Sequence, residues 1–208
     1  VKLNKLKDED EMAVGECIYL GEEIMRVDAI AEYGTDVWLT VARGVYDTVP
    51  APQAAGQLAW FFEDEVGSDS VAYVGGEKVD GKVLPYTMAG RYPEDQAPID
   101  TVNMNFRFYR PYPPGYVWLN NQWRWFTKTS LNKNGPVLNI SWTHRDRVAQ
   151  EDTRIDHEIG DIGPEPGTTY VLRFYNDKNV LVRQETGITG TAYQYLWTQA
   201  MSDLGVTE

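Results

Sequence analysis

Apolar residues in this chain recur at every second position over short runs, and glycine, proline or asparagine interrupts each run. A period of two sends alternate side chains to opposite faces of an extended backbone, so the chain must build half-buried strands, with helices scarce. Met25, Val27 and Ala29 alternate with Arg26 and Asp28, and Val37, Leu39 and Val41 alternate with Trp38, Thr40 and Ala42. Glu32-Tyr33-Gly34-Thr35-Asp36 supplies turn chemistry between the two runs, and Leu58, Trp60 and Phe62 offer a further strand after the PAPQAAG loop. An antiparallel, barrel-like meander is predicted. Glycines and prolines across 63–100 break every pattern, which predicts short strands and long loops. Regularity returns at Thr101 to Phe108, where Val102, Met104, Phe106 and Phe108 face one way, the cleanest strand of the sequence.

The segment RPYPPG (110–115) presets an extended backbone and reads as a stiff spacer between two modules. The predicted organisation is therefore a β-rich domain over 1–110, a proline-rich linker over 111–115, and a second domain over 116–208. Charge agrees with the division: 20 acids and 10 bases fall in 1–110, against 11 acids and 9 bases in 111–208. After the linker, Tyr116 to Leu119, the turn Asn120-Asn121 and Gln122 to Phe126 read as an aromatic hairpin whose first role is packing. Leu138, Ile140 and Trp142 form an inward row with a core tryptophan. Tyr170, Leu172 and Phe174 start a second hairpin that turns at Asn176 to Asn179 and returns over Val180 to Glu185. A last strand is expected from about Ala192 to Ala200. Short strands at this spacing define an all-β protein whose second domain is a β-sandwich.

With 42% hydrophobic and 12% aromatic residues the chain can fill packed cores, and its net charge of -12 disfavours a nucleic-acid surface. No apolar run approaches the roughly 20 residues of a membrane helix, and VKLNKLKDEDEM lacks the apolar region of a signal peptide. The start at Val1 reads as part of a longer polypeptide. Cys17, the only cysteine, has no intramolecular disulfide partner, fits synthesis in a reducing cytoplasm, and reads as a small apolar strand residue.

Catalytic patterns are missing. His144 and His157 are the only histidines, and no H-x-x-x-H or C-x-x-C supplies metal spacing. There is no G-x-S-x-G elbow, phosphate-binding loop or dinucleotide fingerprint. Glu63-Asp64-Glu65 reads as a solvated loop rather than the carboxylate pair of a glycosidase. The same run with Asp69 leaves calcium open, although it lacks the alternating order of a recognised loop. No enzyme activity, cofactor or metal is expected.

NISWTHR (139–145), TYVLRFY (169–175) and GITGTAYQYLWTQAMSDLG (187–205) resemble a fibronectin type III domain. That fold has seven strands and the chain ends soon after the sixth, so the resemblance implies an incomplete sandwich. Three upstream segments, GEEIMRVDAI (21–30), VWLTVARGVYDTVPAPQAAGQLAWFF (37–62) and YRPYPPGYVWLNN (109–121), resemble tail tip or baseplate proteins of siphovirus-like phages and gene-transfer particles. Members commonly carry a histidine where this chain has Gln53. The resemblance implies a virion structural protein made in the host cytoplasm, acting in tail assembly and host attachment as a hub, fibre-attachment or host-specificity component. Its expected partners are identical subunits, with three copies as the arrangement, other tail proteins, and a host receptor or glycan; nucleic acid and membrane insertion are not expected.

Arg43-Gly44 is expected to end a strand, with Asp47-Thr48 bonding to nearby backbone and Pro50 and Pro52 stiffening the crossing to Leu58. Arg43 pairs either within the chain or with a carboxylate of a neighbouring subunit. Arg43, Trp118, Trp123 and Trp125 are the candidate interface residues. The competing class is a carbohydrate-binding or accessory module of a larger secreted enzyme, because aromatic faces stack on sugars.

Overall fold

The computed structural model describes residues 1–4, 12–34, 36–62, 70–105, 107–123, 136–150 and 153–205. The protein is all-β, its described residues forming antiparallel sheets and two short α-helices. Its contacts divide it into two compact units: residues 1–65 with 111–208, and residues 66–110. This division differs from the expected 1–110 and 116–208: the N- and C-terminal segments share one unit, and 66–110 falls between them in sequence.

In the larger unit, Met25 and Val27 lie on β3 (Glu23–Tyr33), the middle strand of a five-stranded sheet. The others are β1 (Lys2–Asn4), β2 (Cys17–Leu20), β4 (Asp36–Ala42) and β5 (Ala59–Phe62), in the order β1-β4-β3-β2-β5. The sheet is an open meander with β1 and β5 at its edges, not a barrel. One face buries Ile18, Leu20, Met25, Val27, Val37 and Leu39 together, each such side chain contributing about 1.5–3 kcal/mol. A bulge between Val27 and Ala29 shifts the register, so Ile30, not Ala29, continues the inward row. On β5 the inward residues are Ala59 and Phe61, because Leu20 pairs with Ala59 and Ile18 with Phe61. Trp60, opposite Tyr19, is left 65% exposed. The expected Leu58, Trp60 and Phe62 face is therefore the outer one.

A second sheet has the order β11-β10-β12-β15, with β10 (Gly115–Leu119), β11 (Gln122–Trp123), β12 (Pro136–Thr143) and β15 (Ala192–Leu196). Asn120 and Asn121, at φ 50 and 59, close the β10–β11 turn with two left-handed residues, the geometry that matches strand twist. β13 (Tyr170–Tyr175) and β14 (Leu181–Ile188) form a separate hairpin. It packs on the second sheet through Phe174, stacked on Tyr195 at 4.4 Å, and Tyr170, edge-on to Trp142 at 5.2 Å. Trp142 is buried, as a core tryptophan should be. The final strand stops at Leu196 and the chain turns into a helix, Trp197–Leu204, instead of running to Ala200. The Gln199 side chain accepts the Leu196 amide at 2.8 Å and Ala200 is buried, so the 197–204 stretch has both a cap and an apolar contact for a helix. A further helical turn spans Arg147–Gln150.

The RPYPPG segment is no exposed spacer. Tyr112, Pro113 and Pro114 are half-buried and Gly115 is buried, with the Arg145 guanidinium 5.0 Å from the Tyr112 ring.

The described residues of the smaller unit form two ribbons. β6 (Lys78–Gly81) pairs with β9 (Asp100–Asn103), and β7 (Tyr86–Thr87) with β8 (Gly90–Arg91). The strand expected over Thr101 to Phe108 ends at Asn103, and a 3₁₀ turn occupies Arg107–Tyr109. Val102 is exposed. A two-stranded ribbon offers no second layer, so alternation there does not produce burial.

Candidate functional site

Glu23 occupies an inward position on β3, in phase with Met25 and Val27, and is completely buried. Burying a carboxylate is costly unless its lone pairs are filled, and here they are. Oε1 accepts Arg43 Nε at 2.6 Å and the Gly44 amide at 3.0 Å. Oε2 accepts Arg43 Nη2 at 2.7 Å, the Ala51 amide at 2.9 Å and Gln53 Nε2 at 3.0 Å. Arg43 also donates to the Ala51 carbonyl at 2.8 Å. The hydrogen bond to Glu23 holds the Arg43 guanidinium above its ordinary pKa. Thr48 completes the loop, its hydroxyl donating to the Val45 carbonyl at 2.9 Å and accepting the Ile24 amide at 3.1 Å, as expected for local backbone bonding. A single carboxylate therefore shapes the 43–53 loop. Arg43 is paired within the chain, and the fork of that pair is turned to β3 rather than outward.

The loop joins the rest of the unit through the backbone of His157. Its amide donates to the Arg43 carbonyl at 2.9 Å, and its carbonyl accepts the Tyr116 amide at 3.1 Å. Gly44, at φ 53, leaves no space for a side chain: a Cβ there would stand 2.5 Å from Pro50 Cδ and 3.1 Å from His157 Cβ. Arg145 lies in the same region, 3% exposed, donating to the Gly44 carbonyl at 3.2 Å. Its Nη2 has no hydrogen-bond partner among the described residues. Burial, partly offset by Tyr112, Asp156 and Asp47, lowers its pKa to about 10.

On β10 the chain gains one residue against β12, since Gly115 pairs with Thr143 and Trp118 with Ser141. Tyr116 sits within this bulge at φ 48, a left-handed conformation that a bulky residue rarely adopts. Bulges re-aim side chains, and here the Tyr116 ring stands edge-to-face with Trp118 at 4.9 Å and 73°. Both rings border a cleft of about 420 Å³, lined also by Asn121, Ser141, Trp142 and Thr143. That size falls in the range of about 300–1,000 Å³ typical of small-molecule sites. Among the described residues no charged side chain lines it.

Of the candidate residues, Trp118 is in the cleft and Arg43 is in the Glu23 cluster. Trp123 is opposite Trp118 in the β10–β11 register. Trp125 lies outside the described residues, as do Glu63, Asp64, Glu65 and Asp69 with the calcium question. Sequence reasoning did not single out Glu23 or Tyr116. An acid in phase with two core residues was the available signal for Glu23; Tyr116 had none, because its orientation comes from the bulge. Among the described residues no group of three or more His, Cys, Asp or Glu side chains is placed to hold a metal ion, and no helix is long and apolar enough to cross a membrane. No family model matches the chain, and no curated protein matches it.

Proposed function

We propose that the chain is a structural component of a phage-like tail tip or baseplate, assembling with identical copies and with other tail proteins and serving host attachment through shape and contact. The observation that carries this reading is the smaller unit. Among its described residues only Ala97 is a buried apolar side chain, while Val83, Tyr86 and Met88 stand almost fully in solvent, Met88 at 106%. Paired ribbons without a core are marginal on their own, and a surface of this kind is completed by a partner surface. Residues 66–110 carry six acids and five bases, so this near-neutral unit can meet another copy of an acidic chain with little repulsion. Three copies around a tail axis would repeat the contact and multiply its strength.

The folded positions of the segments that carry the resemblance support the same reading. Residues 21–30 and 37–62 are interlocked through Glu23, and 109–121 reaches them through Tyr116 and His157. In the C-terminal part, β10, β12 and β15 share one sheet while the intervening β13 and β14 pair apart from it. That order supports a fibronectin-like sandwich. The test is immunogold electron microscopy with an antibody to this chain on phage-like particles from its source. Gold at the distal tail is the expected result. Absence of gold from every particle, with the epitope accessible on disrupted ones, overturns the virion role.

A further inference from the structure

We propose that the outer face of the β11-β10-β12-β15 sheet, centred on Trp118 and Tyr116, is a binding site for an uncharged saccharide. The inference goes beyond the tail-assembly reading and stands on different residues, so either can fail alone. Strand alternation sorts the two faces of this sheet. Ile140, Trp142 and Tyr195 face the β13–β14 hairpin and are buried, whereas Asn139, Ser141 and Gln194 point the other way beside Trp118. The outer face is thus made of amides, hydroxyls and aromatic carbon. Gln194 Nε2 donates to Asn139 Oδ1 at 3.1 Å, and the Asn139 amide donates to Asn120 Oδ1 at 2.7 Å, which holds the polar row in fixed orientations.

A pyranose ring presents an apolar face of C–H bonds and an equatorial rim of hydroxyls. Trp118, with Tyr116 edge-on beside it, offers the flat apolar surface such a face needs. Asn121 and Ser141 at the cleft wall supply donors and acceptors of both kinds for the hydroxyl rim. Charge selects the class of sugar. Among the described residues no cation lines the cleft, and a chain of net charge -12 would repel an anionic polysaccharide. The backbone strain at Tyr116 adds an independent reason. A left-handed aromatic residue is costly, and the surrounding contacts maintain it where the result is a ring beside an open cleft; such strain gathers at ligand sites.

The whole chain should be titrated by isothermal calorimetry with chitotriose, maltotriose and mannotriose, and with trigalacturonate as the anionic control. At least one neutral trisaccharide is expected to bind saturably, with trigalacturonate at least tenfold weaker. Trp118→Ala and Tyr116→Gly should each weaken binding tenfold or more. Tyr116→Gly also relieves the left-handed backbone, so its melting temperature should be unchanged or raised, which separates loss of the ring from loss of the fold. Absence of saturable binding by all three neutral sugars, equal binding of trigalacturonate, or full binding by Tyr116→Gly would overturn the proposal. Gold labelling of tails together with silent titrations would leave the tail role standing and remove the saccharide site.

Discussion

Glu23→Gln changes one atom in a buried carboxylate whose two oxygens accept five hydrogen bonds. The amide keeps one oxygen. Set toward Arg43 Nη2, Ala51 and Gln53, it leaves the new NH₂ group facing Arg43 Nε and the Gly44 amide, donor against donor. The opposite flip strands three donors. The guanidinium also loses its counter-charge while its position on the loop is unchanged. Breaking a buried pair from one side costs about 3–5 kcal/mol, and for a chain of this length about 2–4 °C of melting temperature accompanies each kcal/mol. A fall of roughly 10 °C in a circular-dichroism melt is expected. Hydrogen exchange supplies a local readout. The Gly44 and Ala51 amides, which donate to Glu23, should lose protection, whereas Val45, whose amide donates to the Ile24 carbonyl at 3.0 Å, should lose less. A loss of under about 1 kcal/mol, or equal loss of protection at all three amides, would refute the claim that this carboxylate organises the loop. Gln53→His should be milder than Gln53→Ala, because an imidazole N–H can replace the amide donor to Oε2.

Gly44→Ala should destabilise by about 2–4 kcal/mol in urea unfolding, since the left-handed φ and the 2.5 Å approach to Pro50 act together; a neutral result would mean the loop repacks freely. Arg145→Met is expected to stabilise: holding the guanidinium at a pKa of about 10 corresponds to a burial cost on the order of 3 kcal/mol, offset in part by the Gly44 bond and the Tyr112 contact. A net gain of about 1–2 kcal/mol in urea is the prediction, and a loss above about 1 kcal/mol would show that those contacts outweigh desolvation. Asp203 is held below its ordinary carboxylate pKa by hydrogen bonds from Arg183 at 2.6 Å and Tyr195 at 2.8 Å. The folded state thus binds this proton less tightly than the unfolded chain. The stabilisation is complete above pH of about 4, the unfolded carboxylate range, and fades as pH falls through the lower folded value. Melting temperatures of the parent and Asp203→Asn should keep a constant gap above a pH of about 4 and draw together only as the pH falls below it; a gap that stays constant as the pH is lowered further would contradict the linkage.

Sequence periodicity alone determined which stretches extend. It located β3, β4, β12 and β13, the Asn120-Asn121 turn and the core role of Trp142, because these depend on local alternation and on residues that tolerate left-handed backbone. It did not determine which face of β5 turns inward, since Leu58-Ala59-Trp60-Phe61-Phe62 alternates acceptably in either phase until Ile18 pairs with Phe61. Nor could it show that an exposed ribbon ends at Asn103 or that a helix replaces the strand after Leu196. Those outcomes depend on whether a second layer, a cap or a bulge is present. The site divides along the same line. Arg43 and Trp118 were visible as residue types suited to contact, but Glu23 became the organiser of the loop, and Tyr116 the neighbour of Trp118, only through tertiary structure. A buried carboxylate is defined by the five donors that converge on it, and an aromatic cleft by the one extra residue that re-aims a ring; both are set by pairings between distant parts of the chain.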